Sequence, residues 1–167
     1  KYGFTDIVML MSNELRHHYS FADNNKKKFD YYNQLTNLHT EIWSVEMQLE
    51  SYFTDISINF STSKENRPEL KEKIEAYAAY AESQVTKYQS YRLNLIGFNI
   101  ITLTYQILNE HEKLMASCER AIRYFDSLEH DLASAANFRY ILRMLPSQIM
   151  LENYERAKEL VHQALSL

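Results

Sequence analysis

The fold of this chain is decided by residues 27–60, KKFDYYNQLTNLHTEIWSVEMQLESYFTDISINF, a stretch with neither glycine nor proline. Its apolar residues recur at alternating steps of four and three, the spacing that lines them up along one side of a helix. They are Tyr31, Leu35, Leu38, Ile42, Val45, Leu49, Tyr52 and Ile56. The pattern predicts one unbroken helix. Trp43, Phe53 and Phe60 widen its apolar face, which predicts packing against more than one neighbour.

The sequence on either side of this stretch has the periodicity of five further helices, which makes about six in all. We predict them over residues 7–19, 68 to at least 91, 112–128, 131–145 and 152–167. Pro146 is expected to end or kink the fifth helix, because proline lacks the N–H that a helix interior needs. The apolar positions of the first helix are Ile7, Leu10, Met11 and Leu15.

The third predicted helix should fold back on the long one. Pro68 suits the first turn of a helix, and residues 70–98 carry a second apolar stripe that is interrupted only at Gln84. Two such stripes joined by the short polar turn 61–67 predict an antiparallel helical hairpin. We therefore expect an all-α protein built from antiparallel helical hairpins.

Composition indicates a single helical domain over residues 1–167. Apolar residues make up 46% and charged residues 24%, while two Gly and two Pro are too few for a protein of many tight turns. The net charge of −4 argues against binding to nucleic acid, and no apolar segment is long enough for insertion into a membrane. The single cysteine, Cys118, excludes an internal disulfide and is compatible with a cytoplasmic location. A first residue that is Lys, and a helical pattern that runs to Leu167, predict a piece of a larger protein.

The C-terminal segment 153–167, NYERAKELVHQALSL, resembles the second helix of a tetratricopeptide repeat. In that family an aromatic residue is followed by Ala, a bulky residue and Ala-Leu, and the small alanines let paired helices pack closely. Here these places are filled by Tyr154, Ala157, Val161, Ala164 and Leu165. A less regular copy covers residues 95–150. It departs from the family at Thr102, where the family prefers Gly, and its alanines Ala121 and Ala164 are 43 positions apart, against about 34 in the family.

The resemblance implies a tetratricopeptide-like superhelix of helix pairs over residues 93–167, preceded by the N-terminal helix and long hairpin of residues 1–92. In that family the first helix of each pair lines a concave groove that binds a protein or peptide partner. The positions that match this groove are Asn99, Leu103, Gln106, Arg139 and Leu142, and Arg143 is adjacent to them. The resemblance thus implies five candidate binding residues: Asn99, Leu103, Gln106, Arg139 and Arg143. Amides can bond to an extended backbone, and arginines can pair with carboxylates. The implied function is that of a protein-interaction scaffold or regulatory module, not an enzyme.

Two other interpretations stay open. In the first, the predicted hairpin pairs with the same hairpin of a second copy, as in a structural or dimerisation module. In the second, Glu14-x-x-His17 and Glu159-x-x-His162 contribute to a carboxylate-bridged metalloenzyme site in a helical bundle. Such pairs arise by chance in a chain this rich in glutamate, and these two lie on the first and last helices. We therefore predict no metal site, no cofactor and no catalytic residue.

Overall fold

The computed structural model describes residues 4–62, 68–128 and 132–166, which form seven α-helices and contain no strand. The helices are α1 (Thr5–Phe21), α2 (Lys26–Thr62), α3 (Pro68–Lys87), α4 (Tyr91–Ile107), α5 (His111–Asp126), α6 (Leu132–Met150) and α7 (Tyr154–Leu165). The predictions of an all-α fold and of an unbroken helix over residues 27–60 are confirmed. The expected number of helices was one too low, and the difference arises at a single point.

The additional helix arises because the chain breaks between α3 and α4, where one continuous helix was predicted. Ser90 has an extended backbone, with φ −105° and ψ 130°, and its side chain accepts a hydrogen bond from the backbone N–H of Leu93. Nδ2 of Asn94 donates to the backbone oxygens of Tyr88 and Ser90, at 2.8 and 2.9 Å. These side chains satisfy backbone groups that a continuous helix would have paired, so they stabilise the break.

The long helix α2 lies against α1, α3 and α4, as its wide apolar face predicted. Its orientation relative to α3 is antiparallel, because Asp55 contacts Lys73 at 2.7 Å while Glu41 contacts Lys87 at 2.8 Å. The predicted hairpin is therefore present. Its two helices touch mainly through long side chains, such as the stacked rings of Tyr52 and Tyr77, and the closer partner of α3 is α4.

Helix α1 turns a polar side towards α2 and an apolar side outward. The buried hydroxyl of Thr5 donates to Oε1 of Glu46 at 2.9 Å. The buried hydroxyl of Ser12 accepts a hydrogen bond from Oγ1 of Thr36 at 3.1 Å. Three of the four apolar positions named from the sequence are consequently exposed: Ile7, Leu10 and Met11.

The C-terminal half packs α4, α5, α6 and α7 in series, each against the next. Helix α6 continues through Pro146 to Met150, so the proline does not end it. The helix ends at Met150, two residues before Glu152, whose φ is 56°, and the N–H of Asn153 donates to the backbone oxygen of Gln148 at 2.9 Å. This left-handed residue and its hydrogen bond form an ordinary helix C-terminus. No glycine marks this position in the sequence.

Candidate binding cleft between α4 and α6

Helices α4 and α6 run in the same direction, with α5 connecting them. Near the start of α4, the hydroxyl of Tyr140 donates to the backbone oxygen of Leu95 at 3.3 Å. Further along both helices, the guanidinium of Arg143 donates to Oγ1 of Thr102 and, at 3.5 Å, to the backbone oxygen of Asn99. These contacts hold α4, between Leu95 and Thr102, close to α6.

A cleft of about 560 Å³ opens beside these contacts. It is lined by Gln106, Ala135, Phe138, Arg139, Leu142, Arg143 and Pro146. The structure therefore brings together three of the five groove residues predicted from the sequence: Gln106, Arg139 and Arg143. The neighbouring Leu142 lies there as well.

The other two predicted groove residues do not line this cleft. Asn99 is only 6% exposed and Leu103 is half-buried against the core. The prediction that Asn99 presents its amide on an open surface was wrong, because α4 packs between α2, α3 and α5 and little of its surface remains free. In the part of the chain that the structure describes, Oδ1 of Asn99 has no hydrogen-bond partner.

The two arginines make the cleft locally positive. Within residues 4–62, 68–128 and 132–166, neither Arg139 nor Arg143 contacts a carboxylate, whereas Arg92 and Arg120 pair with glutamates at 2.5 and 2.6 Å. Burial is the main cause that lowers the pKa of Arg143, and the charge of Arg139 lowers it further. A guanidinium still stays protonated at neutral pH. Two neighbouring cations that contact no carboxylate among these residues favour an anionic ligand.

The cleft also has an apolar wall, of which the sequence predicted Leu142 but not Phe138. Phe138 and Leu142 are each 44% exposed and lie four residues apart on α6. Residues at this spacing share one face of a helix, and Arg139 and Arg143 follow each of them directly. The repeated pair Phe-Arg and Leu-Arg, at residues 138–139 and 142–143, was the signal in the sequence that would have revealed this wall.

The groups that could have carried catalysis or bound a metal lie apart. Glu14 and His17 are on α1, Glu159 and His162 are on α7, and all four side chains are exposed. Among the described residues, no three His, Cys, Asp or Glu side chains are grouped as metal ligands. Cys118 is fully buried, and burial raises the pKa of its thiol to about 12. A thiol with that pKa is protonated at neutral pH and is a poor nucleophile.

Comparison of this chain with protein-family models, with curated proteins and with solved structures gave no match. No helix in the described ranges combines the length and the apolar character needed to cross a membrane.

Proposed function

We propose that this protein is an interaction module that binds a peptide segment of a protein partner in the cleft between α4 and α6. The observation that carries the proposal is the pair Arg139 and Arg143, which share one concave surface and have no carboxylate partner among the described residues. We also propose that the helix pairs α4–α5 and α6–α7 form a tetratricopeptide-like superhelix. The parallel course of α4 and α6, with the cleft on that side, supports this arrangement.

The chemistry of the cleft favours a segment that carries an acidic residue next to an apolar one. Arg139 is exposed and can form a bidentate pair with a carboxylate. Gln106 is exposed on the facing helix and can bond to an extended peptide backbone. Phe138 offers an aromatic surface for an apolar side chain. A cytoplasmic location belongs to the same proposal, because a lone buried thiol is compatible with a reducing compartment.

The proposal can be tested by selection from a phage library of random peptides on the immobilised protein. We expect the enriched peptides to contain Asp or Glu close to an apolar residue. For a synthetic peptide of the enriched sequence, Arg139→Glu should weaken binding at least tenfold, measured by fluorescence anisotropy. The physical reason is that a favourable pair becomes a repulsive one, and a tenfold change corresponds to about 1.4 kcal/mol.

Arg123→Glu is the matched control, because it makes the same change of charge at an exposed arginine of α5 outside the cleft. It should leave the affinity within about twofold of the original. Equal losses for the two variants would show that net charge, not the cleft, governs binding. Failure to enrich any peptide over the Arg139→Glu protein would contradict the proposal.

A second candidate function is self-association, and one observation favours it. Apolar side chains lie exposed on the two N-terminal helices, at Ile7, Leu10, Met11, Tyr31, Trp43 and Met47. Exposed apolar residues in such number are typical of interaction surfaces. We expect a dimer in sedimentation velocity experiments, and a shift to monomer on Leu10→Lys but not on Leu142→Lys. A wild-type protein that stays monomeric across concentrations would remove this candidate.

A further inference from the structure

A second cavity, of about 540 Å³, lies where α1, α2 and the junction between α3 and α4 meet. Its walls are mostly apolar, and each of these elements contributes side chains: Phe4, Val8, Leu38, Ile42, Tyr88 and Tyr91. The volume is within the range of about 300–1,000 Å³ that is usual for small-molecule sites. It does not share a residue with the α4–α6 cleft.

The charged group at this cavity is the ammonium of Lys87, and a neighbouring carboxylate already neutralises it. Nζ of Lys87 lies 2.8 Å from Oε1 of Glu41, and the hydroxyl of Tyr88 donates to the same carboxylate oxygen. A ligand with a full charge would therefore have to compete with an existing ion pair. The electrostatics of the cavity favour an uncharged ligand.

Two of the hydroxyls that line the cavity are also occupied. Those of Thr5 and Ser90 both donate to Oε1 of the buried Glu46, at 2.9 and 2.8 Å. Burial raises the pKa of Glu46, in spite of these two hydrogen bonds. Glu46 lies on α2 and accepts both hydrogen bonds, so it holds the start of α1 and the start of α4 to α2. The walls of the cavity are therefore fixed relative to one another.

His39 differs from these groups. It lines the cavity, and its Nδ1 is buried without a hydrogen-bond partner in the described part of the chain. Burial lowers the pKa of this imidazole, which favours its neutral form. Because Nδ1 has almost no accessible surface, the neutral imidazole presents other atoms of its ring to the cavity.

We propose that this cavity binds a small, uncharged and largely apolar molecule that packs against its apolar walls and the ring of His39. The walls supply affinity by removing the ligand surface from water. Since α1 forms one wall, the bound molecule also links α1 to α2 and α4. This site is independent of peptide binding at the α4–α6 cleft.

The test uses N-phenyl-1-naphthylamine, an uncharged aromatic amine whose fluorescence rises in apolar surroundings. Titrated into the full chain, it should show saturable binding with one site per chain. Leu38→Asp places a charge on the wall and should weaken binding at least tenfold. Ile58→Asp is the matched control, because Ile58 lies on the same helix, outside the cavity, and is exposed like Leu38, at 58% against 46%. It should leave binding unchanged.

Two further variants separate the parts of the proposal. His39→Ala removes the ring that forms part of the wall, and should weaken binding several-fold. Leu38→Trp fills the cavity without adding a charge and should also reduce binding, which covers the case in which Leu38→Asp fails to fold. Binding that does not saturate, or equal losses in the Leu38→Asp and Ile58→Asp proteins, would overturn the proposal. Unchanged binding in Leu38→Trp would do so as well.

Discussion

Phe125→Ala should lower the free energy of unfolding by about 3–5 kcal/mol, the usual cost of removing a buried phenylalanine side chain. Phe125 is 0% exposed. Its ring contacts Tyr91 and Phe98 of α4, at centroid distances of 5.4 and 6.3 Å, and stacks on Tyr140 of α6 at 5.9 Å. Alanine would leave a cavity where α4, α5 and α6 meet, and it would remove three aromatic contacts at once.

Urea denaturation followed by circular dichroism measures this effect. Phe138→Ala is the control, because it makes the same chemical change at a side chain that is 44% exposed. It should cost about 1 kcal/mol or less, since less apolar surface is lost from a packed environment. Similar losses for Phe125→Ala and Phe138→Ala would contradict the view that the aromatic cluster holds the C-terminal half together.

The long helix α2 could be predicted from sequence because its signal is local and repeated. Apolar residues recur at helical spacing over residues 31–56, and no glycine or proline interrupts them. The buried residues Ile42, Leu49 and Ile56 follow from this pattern. Tyr31 and Leu38 belong to the same apolar stripe but are exposed. The pattern does not predict their exposure, because it depends on where α1 ends and on how α1 packs against α2.

The break between α3 and α4 was missed for a different reason. The apolar stripe of residues 70–98 continues across it and indicates one helix. The hydrogen bonds of Ser90 and Asn94 stabilise the break, and serine or asparagine inside a predicted helix is too common to mark one. Periodicity reports which side of a segment is apolar, but it does not report whether the axis of the helix changes direction there.

The candidate sites likewise contain some residues that the sequence predicted and some that it could not predict. Arg139 and Arg143 were candidate binding residues because of the resemblance to a tetratricopeptide repeat, and both line one cleft. Asn99 was assigned by the same rule, but α4 is enclosed by other helices and buries it. The cavity around His39 could not be predicted, because it is formed by segments far apart in the chain. Only the packed structure shows that the ring nitrogen lacks a partner among the described residues.

Gly97→Leu should lower the free energy of unfolding by about 2 kcal/mol or more, because α3 and α4 pack too closely at this point to admit a side chain. A Cβ atom at Gly97 would overlap Cγ1 of Val85 on α3. A valine in a helix has one strongly preferred side-chain conformation, so its methyl group cannot easily turn away. Leucine favours helix formation over glycine by close to 1 kcal/mol, so a net loss would be due to packing.

A double-mutant cycle with Val85→Ala isolates this contact. In the wild-type background, Gly97→Ala combines a gain in helix propensity with the overlap against Val85, and these effects oppose each other. In the Val85→Ala background the overlap is relieved, and Gly97→Ala should stabilise the protein by about 1 kcal/mol. An equal effect of Gly97→Ala in both backgrounds would show that Val85 is not the limiting neighbour.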